Sequence, residues 1–238
     1  MGVDINKIEK FYVTDIGCYA REAISNLLQK HIRSGGGECV VSPGACFYKD
    51  FIRQYFDFVV SHTDENQSEN EYSIAWRRTS KTADSVIMIH DVEFSKAPDN
   101  HLKEAHRVLK GDGRLIVVFP NRSGGWARRD NTPFGVGQPR TLDQMKSILQ
   151  DNRFKILDSE GALFYPPLEP KVKMIQSLMN QTHGFGLYPA GIYMVVAQKK
   201  EIAGTKIPVS EKIGDAVRGV IQPDPKPVGT PMSRKNSL

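Results

Sequence analysis

From His101 to Pro120 the chain reads HLKEAHRVLKGDGRLIVVFP, and this stretch decides the fold. Leu102, Ala105, His106 and Leu109 recur at helical spacing. They predict a helix over residues 100–110 that closes on Gly111 as its C-cap. Residues 114–120, RLIVVFP, form the clearest strand in the sequence. The Gly111-Asp112-Gly113 turn between them is read as a helix stop and not a phosphate loop, because a strand and not a helix follows it.

Outward from this unit the same alternation repeats. Ile16, Ala20, Ala23, Ile24, Leu27 and Leu28 predict a helix over 16–31 that stops at Ser34-Gly-Gly-Gly. Short apolar runs predict buried strands at 39–41 (CVV), 56–61 (FDFVVS) and 85–90 (SVIMIH). A helix is expected over 47–54 and another over 142–152, with extended segments at 154–157 and 191–197. Strand–helix–strand order with continuous apolar strands predicts an α/β fold. Its expected form is a doubly wound, mostly parallel central sheet with helices on both faces. Ligands in such folds sit beyond the carboxyl ends of the strands, so the turns after Val41, Ser61, His90 and Pro120 are the places to search.

The helix ending RVLK, the Gly-x-Gly turn and the strand ending in Pro resemble the fourth helix and fifth strand of class I S-adenosylmethionine-dependent methyltransferases, type 11 branch. The continuation PNRSGGWARRDNTPFGVGQP resembles a bacterial subgroup with the pattern PNR-x-G-x-WAR-x-D-x-TPFG-x-G-x-P, followed later by an aromatic-Pro-Pro like Tyr165-Pro166-Pro167. The resemblance spans about residues 11–198 and is specific over about 107–167. It implies a Rossmann-like methyltransferase fold over residues 1–198, with S-adenosylmethionine as cofactor and a methyl acceptor that stays open.

The amino-terminal half departs from the family pattern at three cofactor-contact regions. After the first strand, where the family has a Gly-x-Gly-x-Gly-like turn that lets the backbone pass under the cofactor, this chain has Ser42-Pro43-Gly44-Ala45. The acid expected after the second strand is replaced by Ser61-His62-Thr63, with Asp64 a displaced substitute. The acidic loop near the adenine becomes Trp76-Arg77-Arg78-Thr79. The implied cofactor-binding residues are Ser42, Gly44, Ala45, Asp64, Trp76 and Asp91.

After the run 85–90 come His90, Asp91 and Glu93. By family position His90 and Asp91 are the catalytic candidates, contacting the cofactor or taking a proton from an acceptor. The competing reading makes Asp91 a cap and His90 a strand-end polar residue. A second candidate site is the long segment 121–137, where Arg122, Trp126, Arg128, Asp130 and Phe134 suit an anionic or planar ligand, with Tyr165 added by the resemblance. Its competing reading is a packed loop with the aromatics turned inward.

Composition trims the alternatives. The chain has 238 residues, a net charge of +5 and a pI near 9.0. Residues 199–238 hold eight Lys/Arg, four Asp/Glu and five of the fourteen prolines. This stretch is expected to be a basic, disordered tail. The remaining 198 residues carry +1, which offers nucleic acid no broad footprint. Cys18, Cys39 and Cys46 lack CxxC spacing, and the histidines form no ligand pair, so no metal is assigned. No apolar run reaches the roughly 18 residues that would suggest a span, and MGVDINKIEK lacks a signal-like apolar core. The expectation is a cytoplasmic protein with a small-molecule or protein acceptor, or else an inactive relative kept for binding.

Overall fold

The computed structural model describes residues 5–33, 35–61, 76, 78–165 and 189–201. Asp64, the polar stretch 63–71 (TDENQSENE), which the sequence marks as a surface loop, Arg77 and the tail beyond Glu201 lie outside the described residues. Six strands form one sheet in the order β2-β1-β3-β4-β6-β5. They are β1 (Glu38–Val41), β2 (Phe58–Ser61), β3 (Ala83–Ile89), β4 (Leu109–Pro120), β5 (Phe154–Ala162) and β6 (Ile192–Lys199). Pairings β1–β2, β1–β3 and β3–β4 are parallel, while β6 runs antiparallel to both its neighbours. The sheet is therefore mostly parallel, as expected, with β6 reversed between β4 and β5.

Alternation along the strands splits the core into two layers. Ile87 and Ile89 of β3, Ile116 and Val118 of β4 and Met194 of β6 face one layer. There they meet α1 (Ile5–Tyr12), α2 (Asp15–His31) and the 3-10 turn Pro43–Tyr48 with its continuation α3 (Lys49–Ile52). Val86, Met88, Leu115, Val117, Phe119 and Val195 face the other, covered by α4 (Pro98–Val108) and α5 (Leu142–Asp151). Helices on both faces make the sheet doubly wound. Between β1 and β3 the chain departs in opposite directions, which creates the switch point where α/β folds bind ligands.

Several boundaries differ from the sequence reading, each for a local reason. α4 does not end on Gly111: its C-cap is Leu109 in extended backbone. The amides of Lys81 and Thr82 take the carbonyls of Arg107 and Val108, so the last turn is satisfied without a glycine. Leu109 then pairs directly with Ala83, and residues 110–113 form an irregular excursion in β4 before Arg114 meets Ser85. α2 likewise stops at Ile32, whose amide bonds Leu28 O. Gly36 and Gly37 instead turn the chain into β1 at positive φ. The helix expected over 47–54 is a 3-10 turn followed by the four-residue α3. β5 runs on to Ala162, carried by its pairing with β6.

Candidate active site at the carboxyl edge

β3 ends at Ile89, and His90 follows in left-handed backbone at φ 52, an unusual conformation for a residue with a Cβ. This turn drives His90 into the layer beneath α1, where its side chain is fully buried. His90 Nδ1 lies 3.1 Å from Glu93 Oε1, and His90 Nε2 lies 2.7 Å from the Tyr12 hydroxyl. A carboxylate only accepts, so Nδ1 carries the proton toward Glu93. Burial pushes the Tyr12 phenol far above its usual range, so it stays protonated and donates to Nε2. Glu93 is itself buried, and its Oε2 has no hydrogen-bond partner among the described residues.

Asp91 turns the other way. Its Oδ1 lies 2.6 Å from Nδ1 of His101, in the first turns of α4, and this carboxylate raises the His101 pKa. Four ionisable side chains thus sit in two buried or half-buried pairs where β1 and β3 diverge. His90 and Asp91 are adjacent in sequence but belong to different pairs.

The turn after β1 packs against the same strand end. The Ser42 hydroxyl donates to Ile89 O and accepts from Ile89 N, both at 3.0 Å. A Cβ on Gly44 would collide with Ile89 O and fall 2.7 Å from His90 Cβ. Both side-chain directions therefore point at the end of β3. Ala45 is buried beneath the turn.

The remaining candidates are placed less uniformly. Trp76 is not gathered with Ser42 and Asp91: its backbone is clamped by Glu104 and Arg107, in the half of α4 that leads to the amino end of β4. Trp126 and Phe134 are core residues, 0% and 1% exposed. The indole donates to Tyr165 O, and Phe134 packs edge-on to Trp126 at 5.3 Å and against His90 at 5.0 Å. Tyr165 is thereby joined to Trp126 through its backbone. Arg122, Arg128 and Asp130 are exposed on the same segment. The aromatic and cationic halves of the sequence-read site therefore face apart, the first inward and the second to solvent.

Three residues escaped the sequence reading. Tyr12 and His101 complete the two pairs from 78 and 10 residues away, with no motif to announce them. Arg140 reaches the loop after β3, its Nη1 donating to Val92 O at 2.8 Å. Its signal was available: Thr141 and Gln144 form a capping box that fixes the start of α5, so the residue just before it lies at the same edge.

No protein-family model matches the chain, and no curated protein does. Solved structures do. An S-adenosylmethionine-dependent methyltransferase from Thermotoga maritima superposes with a TM-score of 0.55 at 16% identity, covering 83% of this chain and 96% of that one. One from Archaeoglobus fulgidus gives 0.50 at 14% identity, covering 80% and 97%. One from Mesorhizobium loti gives 0.50 at 11%, covering 73% and 96%. The fold is that of the class I S-adenosylmethionine-dependent methyltransferases. At these identities the likeness establishes architecture, and the bacterial subgroup read from the sequence stays a resemblance. Among the described residues no helix is long and apolar enough to cross a membrane, and no group of three His, Cys, Asp or Glu is placed to hold a metal ion.

Proposed function

We propose that this chain is an S-adenosylmethionine-dependent methyltransferase whose reaction takes place at the carboxyl edge beside β1 and β3. The observation that carries the reading is the concentration of His90, Asp91, Glu93 and His101 at the switch point, with Glu93 Oε2 buried and without a hydrogen-bond partner among the described residues. Burying ionisable groups costs folding free energy, and such clusters gather where function needs them.

The family pattern assigns Ser42–Ala45 and Asp91 to the cofactor's methionine end. Ser42 departs from glycine and its side chain is drawn inward to Ile89, while Pro43 keeps the turn partly open to solvent. The backbone of Ser42–Ala45 would hold the methionine portion, and the carboxylates of Asp91 and Glu93 would answer its ammonium. When bound, the cofactor supplies a methyl group activated by an adjacent sulfonium. The protein's contribution is then to orient the acceptor for in-line attack and to take its proton where it has one. His101, a quarter exposed, shares a proton with Asp91 and links that carboxylate to the surface. His90 is held on both ring nitrogens and acts as a positioning residue for Glu93.

Calorimetric titration of the full chain with S-adenosylmethionine and S-adenosylhomocysteine tests this. Saturable heat from both is expected. No heat at millimolar cofactor, with the protein shown to be folded, overturns it. A second reading, a binding protein that keeps the fold without transfer, is favoured by the engagement of both catalytic candidates in protein pairs. It predicts that outcome.

A further inference from the structure

We propose that the cleft between the segment after β4 and the start of α5 binds a small molecule through a carboxylate or phosphate held by Arg122 and Arg140. The cleft measures about 860 Å³, within the size range of small-molecule sites. Asn121 and Arg140 are partners in a parallel bridge, and the Arg122 amide donates to Arg140 O at 3.1 Å. Two segments eighteen residues apart thus bring their arginines to one cleft.

Neither arginine is held in an ion pair among the described residues. Arg53 and Arg107 each pair with a carboxylate on their own helix or next to it. Arg122 and Arg140 form no salt bridge among the described residues, although they stand on adjoining backbone. Two cationic side chains lining one cleft favour an anion there. Arg140 is also fixed: its Nη1 donates to Val92 O and to Gln138 O. A guanidinium has five donors on three nitrogens, so the rest of the fork remains for an oxyanion.

The other lining residues narrow the ligand. Asp143 lies in the first turn of α5 and offsets the positive end of that helix, so the helix terminus is not counted toward anion binding. Its carboxylate disfavours a polyanion and suits a ligand that carries a hydroxyl or ammonium beside one anionic group. Pro139 and Ile148 add apolar wall. Gln138 N donates to Glu93 O at 2.7 Å, and Arg140 holds Val92 O, so the cleft abuts the loop that carries His90, Asp91 and Glu93. Identifying the cleft's ligand with the methyl acceptor rests on the methyltransferase reading; the anion site itself does not.

The experiment is equilibrium binding to the full chain without cofactor, using 4-hydroxybenzoate, 4-hydroxyphenyl phosphate and the neutral 4-hydroxybenzamide. At least one anion should bind ten-fold or more tightly than the amide, and the tighter anion names the oxyanion. Arg122→Ala, which removes an exposed side chain with no side-chain partner among the described residues, should weaken that anion ten-fold and leave the thermal midpoint unchanged. Arg140→Gln should weaken it as well. Equal binding of anion and amide, or an Arg122→Ala affinity equal to wild type, overturns the proposal. Cofactor titration is read separately, so loss of either reading leaves the other standing.

Discussion

The Tyr12 hydroxyl stands 2.7 Å from His90 Nε2, joining the last residue of the first helix to the end of β3 across 78 residues of chain. On its other nitrogen the imidazole meets Glu93 at 3.1 Å. Glutamate, histidine and tyrosine therefore form one buried string. Phe134, Phe47 and Tyr48 pack around it. The string fixes the tautomer of His90 and ties α1 to the carboxyl edge.

Tyr12→Phe removes the donor and leaves His90 Nε2 buried without a partner. The expected loss is about 1–3 kcal/mol of stability, the usual range for orphaning a buried polar atom. Urea unfolding monitored by tryptophan fluorescence measures it. The ring itself is kept, so its packing against Phe47 and Tyr48 survives. A variant as stable as wild type would mean the hydroxyl contributes nothing to holding α1.

The turn after β1 should tolerate a hydroxyl better than a methyl. Gly44→Ala drives a Cβ into the Ile89 carbonyl, a collision with backbone that no side-chain rotation relieves. Overpacking of this kind costs about 1–3 kcal/mol. For a domain this size that lowers the thermal midpoint by several degrees, at about 2–4 °C per kcal/mol. Ser42→Ala loses both bonds to Ile89 and should also destabilise. Ser42→Gly tests the family pattern directly: it restores the usual glycine but removes the tie to β3. It should therefore lose stability and not gain it.

The sheet was legible because its strands are apolar runs with few competing patterns, SVIMIH and RLIVVFP above all. The place of His90, Asp91 and Glu93 at the carboxyl end of β3 was legible for the same reason, since they follow such a run. What the sequence hid was tertiary. Gly111 looked like a helix cap, but the amides of Lys81 and Thr82 already close α4 from another part of the chain. Trp126 and Phe134 looked like ligand platforms beside arginines. Their burial depends on Tyr165, Tyr19 and α1, none of which local pattern could bring near. Departures from the glycine pattern were visible, whereas the inward rotation of Ser42 was not.

The Asp91–His101 pair gives stability a signed pH dependence. The carboxylate raises the His101 pKa above the ordinary histidine value. A raised folded pKa contributes stability that is fully present below the unfolded value, about 6.5, and is lost as pH rises through the folded one. Comparing wild type with His101→Asn, which cannot ionise, isolates it. The stability gap should be largest just below the ordinary histidine value and should shrink as pH climbs past it. A gap that widens toward alkaline pH would contradict the pairing.

Trp126 and Arg128 lie two residues apart and should respond oppositely to substitution. Trp126 is fully buried, stacks on Tyr19 at 6.4 Å, meets Phe134 edge-on, and donates its indole N–H to Tyr165 O. Gly191 has no side chain because the indole occupies that space. Trp126→Ala therefore opens a large cavity and removes the indole donor to Tyr165 O, for an expected loss of about 3–5 kcal/mol. Trp126→Phe keeps part of the volume and should fall between. Arg128 is exposed on the same turn, and Arg128→Ala should stay within about 0.5 kcal/mol. Denaturant midpoints for the three variants decide the matter. If Trp126→Ala unfolds at the wild-type midpoint while cofactor or anion binding is lost, the indole is a ligand contact and the packed-loop assignment fails. If stability falls and binding persists in Trp126→Phe, the aromatic half of the segment is scaffold, and recognition belongs to the arginines on its outer side.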